Sequence, residues 1–215
     1  MARKLRFGLF AISLLVAPNV FAQSKMRITI NGNPAGTANY TQKFPADGGK
    51  TTGLSLEMLG PGGRKVLIRQ ESRYDAKGNP VRMFQEVQVV GERNRKATIV
   101  TFDKSGANVI LDNNGDRETR KIPVIETAPR QAASEFWFSG PLPKPGTTDK
   151  HYRFDLGTLS WQLSTTTYVG PKAVSLNKKS VRAHLLKMDE VLAYLDDQGL
   201  PLILINGTSR FERLP

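Results

Sequence analysis

Val81-Arg82-Met83-Phe84-Gln85-Glu86-Val87-Gln88-Val89-Val90 alternates apolar and polar residues with a period of two. Val81, Met83, Val87 and Val89 fall on one side, and Arg82, Glu86 and Gln88 on the other. Side chains of a strand point alternately to its two faces, so this pattern describes a strand with one dry and one wet face, typical of an antiparallel sheet. The preceding Asp75-Ala76-Lys77-Gly78-Asn79-Pro80 carries turn chemistry. Asp bonds the turn backbone, Gly accepts a positive φ, and Pro opens the next strand where no ladder donor is needed. Upstream, residues 65–74 repeat the alternation, with Arg69, Glu71 and Arg73 on one face and Val66, Ile68, Gln70 and Ser72 on the other.

The same grammar extends in both directions. Residues 26–31, 36–44 and 51–59 read as strands divided by Asn31-Gly32-Asn33-Pro34 and Asp47-Gly48-Gly49, with Gly60-Pro61-Gly62-Gly63 before residue 65. Residues 96–103, 107–112 and 117–124 continue the meander. Strands resume at 151–155, 160–169, 173–176 and 180–188, and residues 202–206 and 209–214 finish the chain. Residues 189–195 read as either a strand or a helical turn. Short strands at this spacing, with no long helix, predict an all-β protein with minor α content: a curved antiparallel β-meander, either a half-open barrel or a sandwich. Asp-x-x-Gly-x-Pro-apolar occurs twice, at residues 75–81 and 196–202, with Asp103-Lys104-Ser105-Gly106 as a weaker third copy. Recurrent turn chemistry explains the echo. Two related halves, about 26–124 and 150–215, within a single β domain at 23–215 are the sharper reading.

The rhythm stops between about 125 and 149, which reads as one long loop holding a short helix around 128–138. Phe136-Trp137-Phe138 lies there, beside the proline-rich Gly140-Pro141-Leu142-Pro143-Lys144-Pro145-Gly146. Long loops in compact domains are usually functional or disordered, and an aromatic triplet argues against disorder. Packing as core at one end of the sheet is the plain role for these rings. The functional expectation is that Phe136, Trp137 and Phe138, joined by Trp161 from the strand at 160–169, line or cover an apolar ligand cavity.

The N-terminus reads as a secretory signal over residues 1–22. Arg3, Lys4 and Arg6 precede an uncharged, mostly apolar run at 7–17, and Val20-Phe21-Ala22 places cleavage after Ala22. The full chain has 215 residues, 31 Lys and Arg, 19 Asp and Glu, and a net charge of +12; loss of the leader leaves 193 residues at +9. The expected location is therefore periplasmic or secreted. No further apolar run is long enough to span a membrane as a helix. Export makes nucleic acid an improbable partner and directs the basic excess toward an anionic envelope surface or polymer. Cysteine is absent, which excludes disulfides, thiolate metal sites and a thiol nucleophile. Nothing in the sequence sets the oligomeric state.

Catalytic patterns are sparse. Asp112, Asn114 and Asp116 mimic the start of a calcium loop, but Arg117 and Pro123 stand where its glycine and glutamate belong, so a plain hairpin turn is expected and no metal. The two histidines, His151 and His184, read as surface or rim residues. Asp75, Asp155, Asp196, Asp197 and Glu135 are the carboxylates from which a hydrolase would draw a pair, and no spacing sets two of them together. No catalytic residue and no cofactor is assigned.

The exported leader, the Gly32-Asn33-Pro34-Ala35-Gly36 element and the repeated Asp-x-x-Gly hairpins resemble the uncharacterised periplasmic β-proteins related to the lipoprotein-carrier fold. The resemblance implies a half-open, strongly curved sheet whose concave side holds an acyl chain under a short helix or loop. It rests on layout and turn motifs and transfers no functional residue. The leading expectation is a non-enzymatic envelope protein that binds a lipid-like amphiphile in a sheet concavity. An interaction module for an acidic envelope polymer or partner protein, and a carboxylate-based hydrolase, are the alternatives.

Overall fold

The computed structural model describes residues 20–124 and 142–215; residues 125–141 of the loop expected at about 125–149, with its short helix around 128–138, and residues 1–19 of the expected leader at 1–22 lie outside them. Eight strands precede the gap: β1 (Val20–Ile30), β2 (Asn33–Phe44), β3 (Lys50–Leu59), β4 (Lys65–Tyr74), β5 (Pro80–Val89), β6 (Arg95–Asp103), β7 (Gly106–Asn113) and β8 (Asp116–Pro123). Six follow it: β9 (Thr148–Asp155), β10 (Ser160–Leu176), β11 (Lys179–Met188), β12 (Val191–Leu195), β13 (Pro201–Asn206) and β14 (Ser209–Arg213). The one helical element among the described residues is a 3-10 turn at Pro61–Gly63. No helix there is long and apolar enough to cross a membrane.

All fourteen strands belong to one antiparallel sheet in the order β8-β7-β6-β5-β4-β3-β2-β1-β14-β13-β12-β11-β10-β9. Each run is a simple meander. The two runs are joined where β1 pairs β14, with Met26 opposite Arg213 and Ile28 opposite Phe211. The first and last strands thus meet in mid-sheet, and β8 and β9 form its two ends.

Register fixes which residues share a face. Met83 stands opposite Val100 and Val100 opposite Val109. On the same face, across β3 to β1, follow Leu56, Ala38 and Met26, then Ile28, Phe211, Leu204, Ala193, Leu186 and Tyr168. We call this the inner face. Met26, Ile28, Val100 and Val109 are completely buried on it, and burying a side chain of this size stabilises by about 1.5–3 kcal/mol. The opposite face of β3 to β6 is wet and carries the ion pairs Lys65–Glu57, Arg73–Asp47, Arg82–Glu71 and Arg95–Glu86.

The ends of the sheet meet in an unexpected way. Phe154 and Trp161 are cross-strand partners, on the opposite side of their strands from the His151–Ser164 pair. By register, Ser164 shares the inner face with Tyr168, so Phe154 and Trp161 are on the outer one. Yet they pack against Tyr74, Met83, Val100 and Val109, which are inner. The sheet therefore overlaps itself: β9 and β10 tuck one face under the other face of β4 to β7. The ends are joined by side chains rather than by ladder hydrogen bonds, which is why the curved sheet does not close into a barrel.

Local geometry follows the sequence closely and departs from it at three points. First, Asp75 and Asp196 build the same turn. Each Oδ1 accepts from two backbone N–H groups, Lys77 and Asn79 in one turn and Gln198 and Leu200 in the other. Gly78 and Gly199 take φ of 80° and 78°, and a β-bulge follows each turn, with Val81 or Leu202 as the extra residue. The Asp103 segment is not a third copy: Gly106 pairs Asp103 within the ladder, and Lys104-Ser105 alone make the turn. Second, residues 160–169 and 173–176 are one strand. Pro171 falls beside a bulge between Tyr168 and Gly170, where the missing N–H is tolerated. Third, β1 begins at Val20, so the three residues before the expected cleavage point pair with β2, Ala22 opposite Gln42.

Candidate functional site

Of the four expected ligand-lining aromatics, Phe136, Trp137 and Phe138 fall outside the described residues. Trp161 is half-buried in an aromatic cluster. Its ring centroid lies 5.3 Å from that of Phe154 and 5.6 Å from that of Phe102. Its indole Nε1 is buried with no hydrogen-bond partner among the described residues. A buried donor left without an acceptor costs about 1–3 kcal/mol, so this N–H is a place where an acceptor would be gained.

Next to this cluster the inner face holds a strip of apolar side chains with less cover. Leu56, Ile68 and Val87 align across β3, β4 and β5, and Met58, Val66 and Val89 form the next row. All six are half-buried, whereas Met83 further along the same strand is buried. Gln70 and Gln85 separate the strip from the buried cluster, and Lys96 follows Val87 on the same face. The site is an apolar band with amides at one end and a cation at its side.

A second, polar site lies at the other end of the sheet. A cavity of 260 Å³ opens where the turn between β11 and β12 passes the β9–β10 pair. Alternation along β9 puts Asp149, His151 and Arg153 on one face, with Ser164 opposite His151. His151 is 3% exposed, and its Nδ1 lies 2.9 Å from Asp149 Oδ2. The acceptor-only carboxylate makes Nδ1 the donor in the neutral ring. Nε2 has no hydrogen-bond partner among the described residues. Ser164 donates to Asp189 Oδ2 at 2.7 Å, and the Thr165 N–H donates to Asp189 Oδ1 at 2.8 Å. Burial would raise the Asp189 carboxyl, but these hydrogen bonds outweigh it and lower the pKa. Asp189 itself sits at φ 50° in the turn.

His184 forms a third polar cluster. Its Nδ1 lies 2.8 Å from Tyr168 Oη and its Nε2 lies 2.8 Å from Asp197 Oδ1. The Tyr168 hydroxyl donates to the ring and the ring donates to the carboxylate. Burial raises the pKa of the Tyr168 hydroxyl. The expectation that both histidines are surface or rim residues is thus corrected: each is 3% exposed. His184 shares a face with Leu186, as alternation requires, but that face is covered. Each ring is accommodated because a carboxylate, Asp149 or Asp197, receives one of its nitrogens. Sequence offered one signal for the polar cavity, the alternation Asp149-x-His151-x-Arg153, and none for the turn that brings Asp189 over it.

The candidate carboxylates serve their own turns. Asp75 and Asp196 do so as described, with Asp196 also 2.8 Å from Arg213. Asp155 accepts from the Thr158 backbone at 2.7 Å and hydroxyl at 2.9 Å. Asp197 is held by His184, and Glu135 lies outside the described residues. Asp112 caps its hairpin through the Gly115 N–H and pairs Arg117, the plain turn expected there. Among the described residues no group of three or more acid or histidine side chains is placed to hold a metal ion.

No protein-family model and no curated protein matches the sequence. Among solved structures, the chain is similar to a beta-barrel-like protein of the domain of unknown function DUF1849 from Brucella abortus. The match has 14% identity and a TM-score of 0.55, and covers 89% of this chain and 94% of that one. A DUF1089-family protein from Pseudomonas aeruginosa matches at 14% identity and a TM-score of 0.40, over 99% of this chain and 100% of that one. The first likeness supports a β-barrel-like fold and nothing finer.

Proposed function

We propose that this is an exported bacterial envelope protein that catalyses no reaction and holds the apolar part of a lipid-like amphiphile on the inner face of its sheet. The observation that carries this reading is the half-covered strip of Leu56, Ile68, Val87, Met58, Val66 and Val89. A curved sheet normally fills such a face, and apolar surface left in water favours an apolar occupant. Each methylene buried there stabilises the complex by about 0.8 kcal/mol. The signal-like leader and the absence of cysteine support a periplasmic or secreted location.

Native mass spectrometry of the exported protein is expected to show a bound lipid. Titration with a lysophospholipid is expected to change tryptophan fluorescence in the parent and in a Trp161→Phe variant by different amounts. Val87→Lys places a charge in the strip and is expected to abolish the bound lipid while leaving the circular dichroism unchanged. A lipid-free parent whose fluorescence ignores the lysophospholipid sinks the proposal.

One observation favours the second reading, capture of an acidic envelope polymer. Between residues 170 and 188 the chain carries Lys172, Lys178, Lys179, Arg182 and Lys187 and no carboxylate. Retention on an anionic polymer that collapses with salt, without any bound lipid, would select that reading.

A further inference from the structure

The polar cavity at the β9 end is separate from the apolar strip and has a chemistry of its own. Its floor is His151, buried and oriented by Asp149, with Ser164 opposite. Its rim holds Arg153 and Glu190, both exposed, and neither has an ion-pair or hydrogen-bond partner among the described residues. Most other acids of this basic chain are engaged by a neighbouring arginine, lysine, histidine or turn backbone. Glu190 is thus one of the few acids here left without such a partner, and it shares its cavity with a guanidinium that also has none. Asp189 is already engaged by Ser164 and Thr165, so it sets the local field more than it offers a free acceptor. Asn206, at the far wall opposite Val191, adds an amide.

We propose that this cavity binds a small zwitterion whose anionic group and primary ammonium lie a few bonds apart. The anionic group pairs the Arg153 guanidinium, and the ammonium donates to Glu190 and to the open Nε2 of neutral His151. Amino acids and phosphoethanolamine share this chemistry, the first as free solutes and the second also as a lipid headgroup. A volume of 260 Å³ admits either.

The test is calorimetric titration of the whole protein with O-phosphoethanolamine and with glycine, against ethanolamine and inorganic phosphate, each of which carries half of the charge pattern. At least one zwitterion is expected to bind at least tenfold more tightly than either half-ligand. Preference for phosphoethanolamine points to a headgroup, and preference for glycine to a free amino acid. Arg153→Gln and Glu190→Gln change exposed rim residues, so the fold is retained, and each is expected to weaken the zwitterion at least tenfold. Equal binding of phosphate and phosphoethanolamine would make this a simple anion site and overturn the proposal. So would an absence of binding, or variants that bind like the parent. The lipid test above uses Val87 and a different surface, so either idea can fail without the other.

Discussion

Asp103 gathers three hydrogen bonds at the tip of the β6–β7 hairpin. The Ser105 hydroxyl acts most strongly, then the Asn108 amide and the Ser105 N–H, and together they hold its carboxyl down to about 2 from an ordinary 3.8. A carboxylate whose pKa is lower in the folded than in the unfolded chain contributes stability that is full above the unfolded value. That contribution is lost as pH falls from 3.8 through about 2. A carboxyl-detected NMR titration is expected to place the Asp103 midpoint near 2, and Asn108→Ala is expected to raise it; a midpoint close to 3.8 would show that the hairpin does not bind its carboxylate. That a turn falls here was legible in the sequence because Asp and Ser carry their hydrogen-bonding logic locally, although Gly106 lies in the ladder and not in the turn. The two histidines were not. Whether His151 and His184 are covered depends on which face the sheet folds over, and on Asp149 and Asp197 arriving to receive their protons. Alternation correctly grouped His184 with Leu186 and could not say that their face was dry.

Among the elements, the hairpins at Asp75 and Asp196 are one device used twice. In each, an aspartate binds two amide groups, a glycine takes φ near 80°, a proline opens the next strand, and a bulge follows the turn. The equality makes a paired prediction. Gly78→Ala and Gly199→Ala each force a Cβ into a left-handed conformation, at a cost of about 1 kcal/mol. Urea denaturation is expected to show matching losses for the two variants. A full loss at one position and none at the other would show that the resemblance is of sequence and not of strain. Most strands match the alternation to within a residue at each end, since a sheet with one wet face writes its period into the strand, but β1, β2 and β9 begin at Val20, Asn33 and Thr148, three to six residues before the alternation shows, and the ambiguous segment at 189–195 is a strand from Val191. β10 was divided in the reading because a proline usually ends a strand, and only the bulge at Tyr168 and Gly170 shows how Pro171 is accommodated.

At the scale of the molecule, the sequence predicted a curved antiparallel meander, either a half-open barrel or a sandwich, and the structure is one curved sheet that supplies the reason for its opening. Strand order depends on β1 finding β14, a pairing between the two ends of the chain that no local pattern encodes. Once that pairing forms, the free ends β8 and β9 come together, and they do so by overlap: Phe154 and Trp161 pack beneath Met83, Val100 and Val109. The overlap is a seam made of side chains with no ladder across it, so it should be the weakest link of the sheet. Phe154 is 4% exposed and stacks edge-on against Phe102 at 5.5 Å. Phe154→Ala removes a ring from a packed site, a change that costs about 3–5 kcal/mol. Because the ladders on either side remain intact, the loss should appear as local opening before global unfolding. Amide hydrogen exchange in the variant is expected to accelerate in β6, β7, β9 and the first half of β10. The mid-sheet strands β1, β2 and β14, far from the seam along the strand order, should keep their protection. Uniform acceleration across all fourteen strands would mean that the sheet opens as one unit and that the overlap carries no separate weakness.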